Sequence, residues 1–172
     1  MKLHKEHKRF NWHVAKTQKF KCNRSELWDI ISMPSNLELF HPFCAKNPIT
    51  NWPGIDSADT ILYHNGLRLE RNFINWEENI GYDLLIGIKD KEQSFVSWRI
   101  KEKDNVLELT IAVYPYLKNC GSKLTNFLPF FIIIKPSLSN YLDSVLKGLE
   151  FYTRTNKRVK KNQFGTHKFF SN

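Results

Sequence analysis

Residues 58–116 hold five consecutive short segments, each followed by a turn of a few polar residues until the last. The segments cover 58–64, 67–76, 82–88, 94–102 and 106–116, and the intervening turns read NG, EENIG, KDKEQ and KDN. Nothing else in the chain restricts its fold as strongly. Segments this short, joined this tightly, can only run antiparallel, because a parallel pair needs a crossover of a dozen residues or more. Within them the side chains alternate. Val96, Trp98 and Ile100 oppose Ser97, Arg99 and Lys101, and Leu107, Leu109, Ile111 and Val113 oppose Glu108, Thr110 and Ala112. Alternation with period two predicts a meander with one dry face and one wet face.

A dry face of that size must be covered. Residues 12–22 read as a further, first strand. The next stretch, NRSELWDIISM, offers Asn23 as a helix cap with Glu26 in the capping-box position, and Leu27, Trp28, Ile30 and Ile31 as a buried stripe. Pro34 ends that helix, and SNLELF opens a second with Ser35 and Glu38 spaced as another capping box. After the meander, residues 117–134 form a strongly apolar, irregular connection. Pro136 then suits a first helical turn, and Leu138, Tyr141, Leu142, Val145, Leu149 and Tyr152 recur at steps of three and four as far as Arg154. The predicted order is one strand, two short helices, six strands and one long helix. The predicted fold class is α+β: a seven-stranded curved antiparallel sheet wrapped around a long C-terminal helix, with space for a cavity between them.

The order and the wording of NRSELWDIISMPSNLELFHPF and GLRLERNFINWEENIGYDLLI resemble the START-like superfamily, also called SRPBCC or polyketide cyclase/dehydrase, which has the helix-grip fold. The likeness covers about residues 12–153. It rests on residue type and spacing rather than on a catalytic signature. The resemblance implies a hydrophobic ligand site between sheet and helix, for a lipid-like, polyketide-like or aromatic molecule, in a carrier or sensor role. Two alternatives come with it. One is a cyclase or dehydratase acting in the same cavity. The other is a basic-ended protein that binds RNA, the ribosome or a quinone-containing membrane.

The residues expected to face such a cavity follow from the alternation and the helical stripe. From the sheet they are Leu69, Arg71, Phe73, Tyr82, Leu84, Ile86, Trp98, Ile111 and Val113. From the helix they are Tyr141, Leu142, Val145 and Leu149. Arg71 stands out, since an inward guanidinium keeps its charge and needs a partner. It could anchor a carboxylate, phosphate or enolate of a ligand through its planar fork, or pair with an internal acid, or be turned outward by a bulge. A one-residue slip would give its place to Arg68 or Arg99. Tyr82, Tyr114, Tyr116 and His64 are candidate polar handles, with His64 expected to be exposed beside its turn. His41 and Cys44 are three apart, but no second pair at metal spacing follows, so no metal and no cofactor are expected; His4, His7 and His13 sit in a basic segment. No catalytic residue is identifiable. The chain lacks G-x-S-x-G, a P-loop, a dinucleotide-binding glycine pattern and H-E-x-x-H.

The net charge of +9 is concentrated at the ends. Residues 1–24 hold eight Lys/Arg and one Glu, and residues 154–172 hold six Lys/Arg and no acid, so the ends carry +13 and residues 25–153 carry −4. This divides the chain into a basic segment at 1–11, the helix-grip domain at 12–156 and a basic tail at 157–172. The ends are expected to be solvated and loosely ordered, or to contact RNA or an anionic membrane. The three cysteines, Cys22, Cys44 and Cys120, do not suggest a disulfide framework, and with no apolar signal-peptide core a cytoplasmic location is expected. The run FLPFFIII at 127–134 is too short to span a bilayer. It is expected to pack on the core or on a second copy of the chain, with a lid or a membrane contact as the other readings. The expected partner is a small hydrophobic molecule, bound by a monomer or homodimer.

Overall fold

The structure, a computed structural model, describes residues 1–171. Eight strands make one antiparallel sheet: β1 (Val14–Phe20), β2 (Cys44–Lys46), β3 (Ile49–Asn51), β4 (Ala58–Tyr63), β5 (Arg68–Glu77), β6 (Gly81–Gly87), β7 (Gln93–Lys103) and β8 (Val106–Tyr114). Seven of them form a continuous path, β1-β8-β7-β6-β5-β4-β2, and β3 adds to β4 beside β2. The path curls into a half-barrel around a long C-terminal helix, as the alternation predicts. α1 (Arg24–Ser32) and α2 (Leu37–Phe40) lie between β1 and β2.

Local chemistry explains most of the connections. Asn23 accepts the Glu26 amide at 2.8 Å and Glu26 accepts the Asn23 amide at 3.0 Å, completing the predicted capping box. The second box does not form. Ser35 has φ +57° and α2 is capped at Asn36 without a side-chain bond, while Glu38 instead accepts the Asn47 amide at 2.8 Å. Asp104 and Asn105 both take positive φ, 51° and 59°, which closes β7 on β8 with the twist that hairpins favour. At the Asn65-Gly66 turn only Gly66 uses the left-handed region, at φ +85°. A register shift between Phe73 and Asn75 leaves Ile74 unpaired, so Phe73 and Trp76 both reach the interior.

The long helix begins earlier than Pro136 suggests. α3 (Lys123–Pro129) runs into a π-helical turn (Phe130–Ile134) and then into α4 (Lys135–Thr155), with the caps between them in right-handed helical conformation. A proline forfeits one amide donor, and the widened π turn accommodates that loss. α4 packs along β1 and α2. Gly148 sits where a Cβ would stand 2.1 Å from the Phe40 carbonyl oxygen, so the close approach of α4 to α2 depends on that glycine.

Both basic ends are packed, contrary to the expectation of loose termini. Residues 1–13 cross the outer face of the sheet. There the His4 amide donates to Asp83 at 3.0 Å, Arg99 bonds the same carboxylate at 2.6 Å, and His7, Phe10 and His13 lie against Tyr114. This cover explains why Phe95 and Asp83, on the face expected to be wet, are fully buried. After α4 the chain turns at Asn156, in left-handed conformation, and runs back along the domain. Val159 donates to the Leu39 carbonyl at 2.9 Å and Asn162 to the Pro42 carbonyl at 3.0 Å.

Candidate functional site

The half-barrel has a solid end and an open end. At the solid end six aromatic rings meet edge to face or stacked: Trp28, Trp52, Phe73, Trp76, Tyr82 and Trp98, with centroids 5.1–5.5 Å apart. These large side chains fill the space between α1 and the sheet. At the other end, beneath the start of α4, the interior side chains are shorter, and a cavity of about 390 Å³ remains. Aliphatic residues of β4 to β8 form its floor and sides, α4 forms its roof, and the C-terminal segment closes one flank.

Ten of the thirteen residues named for the cavity line it. Leu69, Arg71, Leu84, Ile86, Trp98, Ile111 and Val113 do so from the sheet, and Tyr141, Leu142 and Val145 from α4. Phe73, Tyr82 and Leu149 do not; they are at most 1% exposed and belong to the packed interior. The periodicity gives the face of each residue but not its depth along the barrel.

Arg71 points inward, and it is the internal acid that takes its fork. Nε donates to Asp59 Oδ1 at 2.7 Å and Nη2 to Asp59 Oδ2 at 2.5 Å. Asp59 lies directly opposite it on β4. Burial opposes the charge of Arg71, and the Asp59 carboxylate outweighs that opposition, so the guanidinium's pKa stands above its ordinary value. The pair is a neutral unit in the cavity wall. Arg68 is exposed and Arg99 lies on the outer face with Asp83.

One polar feature of the cavity wall is a chain of three groups. His41 Nε2 is 2.8 Å from the Tyr141 hydroxyl, which is 2.9 Å from the Tyr63 hydroxyl, and all three residues line the cavity. The proton positions follow from the partners. His41 Nδ1 accepts the Phe43 amide at 3.2 Å, so the neutral ring carries its proton on Nε2 and donates to Tyr141. Burial, and after it the charge of Arg71, lowers the His41 pKa to about 3, which keeps the ring neutral near pH 7. Burial pushes both tyrosine hydroxyls above their ordinary range, so both keep their protons. Two hydrogen bonds join the three groups, and one is supplied by Nε2–H. The other uses one hydroxyl proton. One hydroxyl proton is therefore left over, on whichever tyrosine accepts, and the cavity is the side on which an acceptor could meet it.

Other candidates fall elsewhere. Tyr116 is at the cavity mouth and 41% exposed, Tyr114 is on the outer face, and His64 is partly exposed beside its turn. Burial raises the Cys44 thiol to about 12, which leaves it unreactive. Among the described residues no group of three or more His, Cys, Asp or Glu side chains could hold a metal.

The sequence reading missed the array and the flank. Tyr63 was legible: Asp59, Ile61 and Tyr63 alternate inward on β4 as Leu69 and Arg71 do on β5. The C-terminal contribution carried no such signal. His167 Nδ1 accepts the Phe169 amide at 3.3 Å, so its Nε2–H is directed at Ser137, 3.0 Å from Oγ. The Phe170 ring stacks on Tyr63 at 4.6 Å and lies 4.8 Å from Tyr141. These residues wall the cavity from a stretch whose composition suggests a solvated tail or a contact with RNA or an anionic membrane.

No family model and no curated protein matches the sequence. Solved structures do. DynU16, a protein from the dynemicin biosynthetic locus, superposes with a TM-score of 0.65 at 12% identity, over 87% of this chain and 51% of its own, so the chain spans about half the length of that protein. SA2116 from Staphylococcus aureus gives 0.65 at 12% identity over 85% of this chain and 96% of its own. Ara h 8.0201 gives 0.61 at 11% identity, over 84% and 99%. These likenesses, with the curled sheet and gripped helix, define a helix-grip fold.

Proposed function

We propose that this chain is a START-like protein that binds, without chemical change, a small apolar molecule bearing at least one oxygen acceptor, and carries or senses it. The observation that supports this most directly is the cavity of about 390 Å³ whose walls are almost wholly aliphatic and aromatic, with one surplus hydroxyl donor at the Tyr63–Tyr141 pair. Apolar walls supply affinity, and a placed donor fixes orientation. An anionic head group is a poorer match, because the one inward guanidinium is already spent on Asp59. Acid–base chemistry is also less well supported, since both ring nitrogens of His41 are engaged, one by a backbone amide and one by Tyr141.

The test uses native mass spectrometry and solvent extraction of the purified protein, followed by titration with a matched pair of probes, 2-acetylnaphthalene and 2-ethylnaphthalene. Binding of both is expected. The ketone should gain several-fold to about tenfold over its partition-corrected expectation, the worth of one net hydrogen bond. That gain should shrink in a Tyr63→Phe/Tyr141→Phe variant. Leu69→Trp and Ile86→Trp should fill the cavity and abolish uptake of both. If neither probe binds, and nothing apolar is extracted, the proposal fails.

A further inference from the structure

Five of the exposed large apolar side chains among the described residues gather on the ridge made by α3 and the π-helical turn. Leu124 is 89% exposed, Ile132 67%, Leu128 62%, Ile133 57% and Phe127 50%. The sequence reading has this run pack on the core or on a second copy of the chain; against the core only Phe130 is fully buried, held 5.0 Å from the Trp12 ring. A contiguous patch of this kind is rare on a monomer that meets only water.

Its charge setting identifies what covers it. Residues 115–142 contain Lys118, Lys123 and Lys135 and no Asp or Glu. The first acid beyond, Asp143, faces Lys16 at 3.2 Å. Within this stretch the apolar crest is flanked by cations alone; from other elements Glu92 acts on Cys120 at the start of the ridge, and Arg9 lies 3.8 Å from that carboxylate. A second copy docked ridge to ridge would bring like charges together. A lipid surface with anionic head groups instead takes the aliphatic side chains into its acyl boundary while the lysines reach the phosphates.

The location fits as well. Tyr116 and Leu117 precede the ridge, Ile134 ends it and Leu138 follows, and all four line the cavity. We infer that the α3 ridge docks this protein on anionic membranes with the cavity mouth facing the lipid. That the mouth would then exchange its guest directly with the bilayer rests on the function proposed above; the docking itself does not. The basic ends, which the sequence suggests for this role, are folded onto the sheet and onto α2.

Vesicle flotation tests the docking. The probes are vesicles of phosphatidylcholine alone and of phosphatidylcholine with one third phosphatidylglycerol. Binding to the anionic vesicles is expected to exceed binding to the neutral ones by at least tenfold, since each lysine near such a surface contributes a factor of about five. It should weaken in 0.5 M salt. Leu128→Asp/Ile132→Asp should lose it, and Lys118→Glu/Lys123→Glu should reduce it by more than tenfold. These positions are on the surface, so thermal stability and naphthalene binding should be unchanged in the variants, which separates failure of docking from failure of the cavity. Absence of flotation overturns the inference. So does flotation that the ridge variants leave intact, and so does a dimer by sedimentation that the Leu128→Asp/Ile132→Asp variant dissociates, since the ridge would then serve a second copy.

Discussion

Arg71 and Asp59 face each other across the β4–β5 pair and are joined by two hydrogen bonds of 2.7 and 2.5 Å, with their side chains 4% and 0% exposed. The pair turns what looks in the sequence like an anion receptor into a neutral part of the wall. Its energetics are asymmetric. Removing one member leaves the other buried and uncompensated, at a cost of about 3–5 kcal/mol, whereas replacing both with apolar residues of similar size is often neutral. Asp59→Ala should therefore lower Tm by on the order of 10 °C, given roughly 2–4 °C per kcal/mol at this size. Asp59→Leu with Arg71→Met should recover most of that loss. Scanning calorimetry of the three proteins checks this. A single variant as stable as the parent would show that the pair is not sealed from water.

The same wall predicts a pH dependence. His41 is 5% exposed and, through burial first and the Arg71 charge second, titrates at about 3 instead of near 6.5. Between those values the unfolded chain binds a proton that the folded chain does not, so stability rises with pH through that window and is fully present above it. Moving from pH 7.5 to pH 5 should remove about 2 kcal/mol through this residue. His41→Asn keeps an acceptor for the Phe43 amide and lacks the titration. Urea unfolding of both proteins at the two pH values isolates the effect. The difference between their pH slopes is the readout, because His64 and His167 are also lowered and contribute to both.

Gly148 supplies a third outcome. A methyl at this position would meet the Phe40 carbonyl oxygen at 2.1 Å, and that oxygen belongs to backbone, which cannot swing aside. α4 would have to lift from α2. Helix propensity alone favours alanine over glycine by about 1 kcal/mol, so Gly148→Ala would be stabilising on an open helix. Here it should destabilise by roughly 1–3 kcal/mol, the usual cost of overpacking, measured by chemical denaturation. A gain in stability would mean that α4 and α2 are further apart than the backbone contact indicates.

What could be read in the sequence was whatever obeys a period. Val96, Trp98 and Ile100 repeat every second residue, and Leu138, Tyr141, Leu142 and Val145 repeat every three or four, so the sheet faces, the helix stripe and the inward turn of Arg71 are legible. Three things have no period. Pro129 and Pro136 look like breaks, yet a π turn carries the helix through both. Depth along the barrel decides that Phe73 and Tyr82 plug one end while Leu69 and Ile86 border the space at the other. Contacts made by irregular chain, such as Phe170 on Tyr63, arise from a return path that only the completed domain defines.

That return path leads to the last expectation. Read from composition, residues 157–172 are a solubilising tail, and their removal should leave a cavity untouched. The structure gives residues 157–171 three kinds of attachment. Val159 and Asn162 bond the carbonyls of Leu39 and Pro42, Ser144 donates to the Phe164 carbonyl at 2.8 Å, and His167 and Phe170 close the flank beside Tyr63 and Tyr141. A chain ending at Asn156 should lose the Phe170 ring from both tyrosines and expose the hydroxyl pair to water. A donor that bonds water discriminates less between ligands, so the preference for 2-acetylnaphthalene over 2-ethylnaphthalene should fall toward zero. Affinity for both should drop, while the α4 stripe and the sheet keep the fold at a lower Tm. Phe170→Ala in the intact chain should reproduce the loss of preference with a smaller drop in Tm, measured by the same titrations. Should the truncated chain keep both affinity and preference, the tail would be a passenger on the domain and the flank would be closed by something else.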